Sequence, residues 1–111
     1  MAAERLVVQL PVSESTDFDS LIDFENALTL SFLKDKAAAV DGHEIGQGWF
    51  NVFIVPRAAP ESIVERVKAL LAQMGMLDNA LIARRANPHD QYAVIWPDNY
   101  RGAFDPGTSA G

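Results

Sequence analysis

The sequence has 111 residues, of which 49% are hydrophobic and 22% are charged. This length and composition are typical of one globular domain with its own core. The absence of cysteine excludes disulfides and cysteine-held metals. Neither a secretory signal nor an apolar run of about 20 residues is present, so we expect a soluble, cytoplasmic protein that binds no membrane.

The net charge of -6 is unevenly distributed along the chain. Residues 1–56 contain nine acidic and three basic residues, whereas residues 57–111 contain six of each. Nucleic-acid binding draws most of its affinity from lysine and arginine contacts to phosphates. An acidic chain without a basic run therefore argues against a nucleic-acid partner and against an anionic membrane surface.

The β-branched and aromatic runs predict five strands. They cover residues 5–12, 38–45, 49–55, 81–86 and 92–96. The second and third strands form a hairpin around the turn Gly46-Gln-Gly48. Residues 49–55 are apolar on both faces, so this strand is expected either to lie at the centre of the sheet or to have its second face covered. Without such a cover the strand should expose an apolar patch.

Two amphipathic helices are predicted, over residues 18–36 and 60–74. Thr16 and Ser20, each followed by an aspartate three residues later, resemble capping boxes for the first helix. Its apolar stripe consists of Leu21, Phe24, Leu28 and Phe32. Leu30 and Leu33 lie off that stripe, so they either widen the buried face or contact a partner.

The element order β-α-β-β-α-β-β indicates an α+β fold of ferredoxin-like type, a βαββαβ sandwich. It would have an antiparallel sheet, two helices on one face and an extra C-terminal strand. Residues 1–97 would form the single domain. Residues 98–111, rich in Gly, Asp and Pro, would form a flexible tail.

The hairpin at residues 40–55 reads Val-Asp-Gly-His-Glu-Ile-Gly-Gln-Gly followed by Trp-Phe-Asn-Val-Phe-Ile-Val. It resembles a group of small uncharacterised bacterial ferredoxin-like domain proteins with a Val-Asp-Gly-x-Glu-Ile-Gly-x-Gly hairpin. In that group, too, a final strand ends in Trp-Pro, as Trp96 and Pro97 do in this sequence. The resemblance covers roughly residues 18–97. It implies the fold and no particular activity.

The segment from Asp41 to Glu44 is the most site-like part of the chain. On a strand, Asp41 and His43 point to one face and Glu44 to the other. With His89 and Asp90 brought near, the pair on that face could form a carboxylate–imidazole metal site. Otherwise these polar residues solvate an edge strand. The histidines lie 46 residues apart without metal-binding spacing, so neither a metal nor a cofactor is expected.

Catalysis by His43 would require a hydroxyl group or a water molecule nearby. The candidate nucleophiles are Ser62, Thr29 and Ser31. None lies in a Gly-x-Ser-x-Gly elbow. A small enzyme using His43 with Asp41 or Glu44 therefore stays an alternative, and no catalytic residue is assigned.

The segment from Glu14 to Glu25 contains five acids and no base. Its carboxylates either cap and solvate the first helix or engage a basic partner by electrostatic steering. The candidate interaction residues are Asp17, Asp19, Asp23, Glu25 and the ring of Trp49.

The sequence is most consistent with a non-catalytic interaction module. We expect it to self-associate through its sheet as a homodimer, and it could act as an acidic inhibitor or immunity-type partner of a basic protein. The alternatives are the small enzyme and a small-molecule sensor at a dimer interface.

Overall fold

The computed structural model describes residues 4–14, 16–100, 102 and 104. The predicted helices and strands are confirmed, and each end agrees to within one residue. The elements are β1 (Arg5–Pro11), α1 (Phe18–Asp35), β2 (Ala38–Gly46), β3 (Trp49–Pro56), α2 (Pro60–Gln73), a 3₁₀ turn (Leu77–Asn79), β4 (Leu81–Arg85) and β5 (Ala93–Trp96).

The strands form one antiparallel sheet in the order β2-β3-β1-β4-β5. Apolar residues of both helices share one core cluster with β1, β3 and β4, so the helices cover one face of the sheet. This α+β architecture is compatible with the predicted ferredoxin-like sandwich, and β5 is the extra strand at one edge. Across the described part of the chain, neither helix combines the length and apolar character needed to cross a bilayer.

Helix α1 forms because its apolar residues recur on one side and both of its ends are capped. The predicted stripe residues Leu21, Phe24, Leu28 and Phe32 are all buried. The N-cap is Asp17 rather than Thr16 or Ser20, because the Asp17 side chain accepts the backbone N–H of Ser20 at 2.9 Å. Lys36 ends the helix in the left-handed conformation, and its N–H donates to the carbonyl of Phe32.

The hairpin between β2 and β3 turns at Gln47 and Gly48, whose φ angles are +54° and +84°. Two successive positive φ angles are typical of the type I′ turn, whose twist matches that of a hairpin. The predicted glycine turn is therefore confirmed. Gly46 and Trp49 are paired directly beside it.

The sheet face opposite to the helices, which we call the second face, is buried at its centre. Val7 and Ala83 are fully buried, and Phe53 is only 7% exposed. Gln9 Nε2 donates to Asn51 Oδ1 at 2.9 Å in the same region. The exposed apolar patch expected on the second face of β3 is therefore not found among the described residues.

Long side chains contribute to this coverage. The guanidinium group of Arg5 lies 5.7 Å from the ring centroid of Phe53, and that of Arg85 lies 4.7 Å from the ring of Tyr92. The ring of Phe104 meets Tyr92 edge-on at 5.9 Å. Of the predicted tail, residues 101, 103 and 105–111 lie outside the described residues.

Candidate functional site

Gly42 places a β-bulge in the edge strand β2. Its φ is +86°, a conformation that favours glycine, and the register with β3 shifts between Val40 and His43. His43 consequently faces α1. Asp41 instead pairs with Arg5 at 3.1 Å. The prediction that Asp41 and His43 share one face is wrong, because the alternation of side chains does not continue through a bulge.

His43 connects the edge of the sheet to α1. Its Nδ1 lies 2.7 Å from Glu25 Oε1, with the side chains 30% and 13% exposed. The imidazole stacks on Phe50 at 4.7 Å, and the edge contact with Phe18 has a centroid distance of 6.2 Å. The carboxylate partner of His43 is therefore Glu25, eighteen residues away in the sequence.

The structure does not bring His43 together with the residues that were considered as its catalytic partners. Glu44 is exposed and pairs in register with Asn51, whose side chain lies on the second face. The candidate hydroxyls are engaged elsewhere: Ser62 donates to the carbonyl of Ala59, Thr29 donates to the carbonyl of Glu25, and Ser31 accepts from Arg66. No described contact gives His43 a nucleophile to activate.

The structure also does not assemble the metal site considered for Asp41 and His43 with His89 and Asp90. His89 and Asp90 lie in an exposed turn after β4, whereas His43 is on β2 at the far edge of the sheet. Within the described residues, no group of three or more His, Asp or Glu side chains could hold a metal ion.

The acidic candidates occupy three different environments. Asp17 is the helix cap, and the N–H of Ser20 lowers the pKa of its carboxyl group below the ordinary value. Asp19 and Asp23 are exposed on the outer side of α1. Glu25 is largely buried against His43. Only Asp19 and Asp23 are therefore carboxylates of α1 that a partner could meet without disturbing a cap or an internal pair.

Trp49 is half-buried at the beginning of β3. It pairs in register with Pro11 on one side and Gly46 on the other. Trp49 is less exposed to solvent than three apolar residues near it, Val12, Phe18 and Ile45. These three residues were not identified as candidates from the sequence. Those three define the candidate site.

The three are Val12, Phe18 and Ile45, which are 38%, 45% and 52% exposed. Phe18 meets the buried ring of Phe50 edge-on at 6.1 Å, and Ile45 is the cross-strand partner of Phe50. The N–H of Val12 donates to the carbonyl of Gly48 at 2.9 Å. One buried ring and the hairpin thus support an exposed apolar cluster at this end of the molecule.

The chain segments that build this cluster are purely acidic. Residues 12–26 and 43–50 contain no lysine or arginine, and their acidic residues are Glu14, Asp17, Asp19, Asp23, Glu25 and Glu44. We call this region the acidic end, defined by the three exposed apolar residues and by the exposed carboxylates of Glu14, Asp19 and Asp23. It combines apolar contact area with a single sign of charge, a pattern suited to a basic partner.

The other end of α1 is apolar and basic. Leu30 and Leu33 are 63% and 66% exposed, so they do not widen the buried face. Leu30 lines one surface depression with Lys34 and Arg66. Asp35 lines it too, but its carboxylate is paired with Arg66 at 2.8 Å, so Lys34 supplies the unbalanced charge. Leu33 lines a second one with Lys36 and Arg57. We call the two leucines and these four basic residues the basic end of α1.

Comparison with protein-family models, with curated proteins and with solved structures gave no match. The resemblance of residues 40–55 to small bacterial ferredoxin-like domains therefore stays a prediction.

Proposed function

We propose that this protein is a non-catalytic interaction module that binds a basic partner at its acidic end. The observation that carries the proposal is the exposure of Phe18 and Ile45 above the buried ring of Phe50, on chain segments that contain carboxylates and no lysine or arginine. An inhibitor or immunity-type role is the biological form that this chemistry suits best. The α+β architecture supports a ferredoxin-like scaffold as part of the proposal.

The two components of the acidic end would contribute differently to binding. A partly buried aromatic ring that is already held by its neighbours loses little conformational entropy on binding, so Phe18 is suited to be an anchor. Exposed carboxylates such as Asp19 and Asp23 would mainly raise the association rate and reject acidic competitors. Affinity would therefore depend on Phe18, and the salt dependence of association would depend on the carboxylates.

Self-association is a second candidate, with a different surface from the one expected from the sequence. The second face of the sheet is buried at its centre, which removes the reason for pairing through the sheet. The acidic end and the basic end of α1 are instead complementary, because both expose apolar side chains and their charges are opposite. Contact between these unlike surfaces would be head-to-tail, and it would produce rings or chains rather than an isologous dimer.

The test is capture of a partner from the source lysate with immobilised protein, followed by association kinetics with the captured protein. Phe18→Ala removes the anchor, and Asp19→Asn with Asp23→Asn removes two charges. Glu65→Gln with Asp78→Asn is the matched control, because both residues are exposed and lie outside the acidic end. We expect the charge variant to slow association about tenfold at low salt, and the control to leave it unchanged.

The captured protein should be basic, and its binding to the wild type should weaken with added salt. Equal capture by the Phe18→Ala variant and the control would contradict the proposal. Capture of only the chain itself, lost when Lys34 and Lys36 are neutralised, would replace it with head-to-tail self-association.

A further inference from the structure

Antiparallel pairing of β1 with β4 places two arginines directly opposite each other. Arg5 and Arg85 are partners in register, and Arg5 lies on the same side of β1 as Val7 and Gln9, towards the second face. Directly opposed residues on adjacent strands have Cβ atoms about 5 Å apart, and like charges in that arrangement are destabilising. The pair therefore needs a source of negative charge.

The described structure supplies less negative charge than the pair needs. Arg5 has one carboxylate partner, Asp41, whose side chain is 56% exposed to solvent. Arg85 has no carboxylate within 4 Å among the described residues. Its Nε atom is buried and has no hydrogen-bond acceptor in the part of the chain that the structure describes. A buried N–H without an acceptor is costly, so it indicates a place where an acceptor is expected.

Arg84, the neighbour of Arg85 in the sequence, differs from it in having carboxylate partners. Arg84, on the other side of β4, is paired with Glu4 and also lies 3.7 Å from Glu61. Two carboxylates thus serve the arginine that faces the helices. Arg85, which faces away from the helices, contacts an aromatic ring and has no carboxylate partner among residues 4–14, 16–100, 102 and 104.

Aromatic rings hold both guanidinium groups of the pair. Arg85 lies over Tyr92, and Arg5 lies over Phe53. Burial raises the pKa of the Tyr92 hydroxyl, while the positive charges of Arg85 and Arg5 act in the opposite direction. The ring contact places Tyr92 beside Arg85, and the raised pKa keeps its hydroxyl protonated and able to donate a hydrogen bond at neutral pH.

We propose that Arg5, Arg85 and Tyr92 form a binding site for a small oxyanion, a carboxylate or a phosphate, on the second face of the sheet. The planar guanidinium group matches both kinds of anion with paired N–H donors. The anion would neutralise the opposed arginines and accept a hydrogen bond from Arg85. The site lies about 20 Å from the acidic end along β1, so it is independent of the proposed partner surface.

The experiment is a titration of the full chain with inorganic phosphate and, separately, with acetate, followed by backbone amide NMR at constant ionic strength. We expect one saturable site in the millimolar range, with the largest shifts at Arg5, Arg85 and Tyr92. Arg85→Gln should weaken binding about tenfold or more, because it removes a charged donor. Arg57→Gln is the matched control, since Arg57 is exposed and lies outside the site, and its effect should be less than about twofold.

Arg85→Lys keeps the charge but loses the planar fork, so it should also weaken binding while the thermal melt shows a folded protein. Tighter binding of phosphate would assign a phosphate ligand, and tighter binding of acetate would assign a carboxylate. The proposal would be overturned by shifts that do not saturate with either anion. It would equally be overturned if Arg85→Gln and Arg57→Gln had the same effect.

Discussion

Phe50→Ala is expected to lower the free energy of unfolding by about 3–5 kcal/mol, the usual cost of truncating a buried phenylalanine. Phe50 is fully buried, stacks on His43 and supports Phe18. Phe18→Ala is the matched control, because the same atoms are removed from a side chain that is 45% exposed. We expect that control to cost less than about 1 kcal/mol.

Urea unfolding of the two variants and the wild type measures the difference. A large loss of unfolding free energy for Phe50→Ala and a small loss for Phe18→Ala would mean that the Phe18 ring is available to a partner. Equal losses would mean that Phe18 belongs to the core. Phe18 could then not serve as the anchor of the acidic end.

The pair of Glu25 and His43 is expected to have a coupling free energy of about 2 kcal/mol in a double-mutant cycle with alanine. The reason is its combination of a 2.7 Å contact with a glutamate side chain that is only 13% exposed. Removal of either partner leaves a largely buried polar group without its hydrogen bond. The exposed pair of Arg5 and Asp41, at 3.1 Å, is the control, and we expect about 0.5 kcal/mol for it.

Urea unfolding of the wild type, the two single variants and the double variant gives each coupling free energy. A value for Glu25 and His43 no larger than that of the control would show that the contact does not fasten β2 to α1. In that case His43 would behave like an exposed histidine without a fixed partner, and a catalytic role for its imidazole would have to be considered again.

Local patterns were sufficient to predict the elements of this fold. The spacing of Leu21, Phe24, Leu28 and Phe32 places one face of α1 in the core, because helical periodicity is a property of a single segment. The hairpin was equally predictable, since Gln47 and Gly48 can form the tight turn between two β-rich runs. Both predictions depend on neighbours in the sequence and need no knowledge of the packing.

The candidate site was not predictable in this way. The bulge at Gly42 shifts the register of an edge strand, and a single glycine does not specify whether a strand continues or bulges. The partner of His43 is on a helix eighteen residues earlier, so only the packing of α1 on the sheet reveals it. The partial exposure of Phe18 likewise follows from its position at the first turn of α1, where the ring packs on Phe50 and His43 at the end of the sheet and is 45% exposed.

Burial of the second face was missed for a related reason. Alternation of apolar residues in β3 shows that both faces are apolar, but it does not show what covers them. Part of the cover comes from Arg5 on β1, far from β3 in the sequence. Charged side chains with long aliphatic stems can cover apolar surface, so an apolar face of a sheet does not by itself predict a dimer.

The most direct measurement of the proposed function is site-specific photo-crosslinking in the source lysate. A photoreactive phenylalanine analogue replaces Ile45 at the acidic end or, as a control, Gln73 at the exposed end of α2. We expect one discrete adduct from position 45, with a partner of net positive charge, and none from position 73. Equal adducts from both positions, or an acidic partner at position 45, would contradict binding of a basic partner at the acidic end.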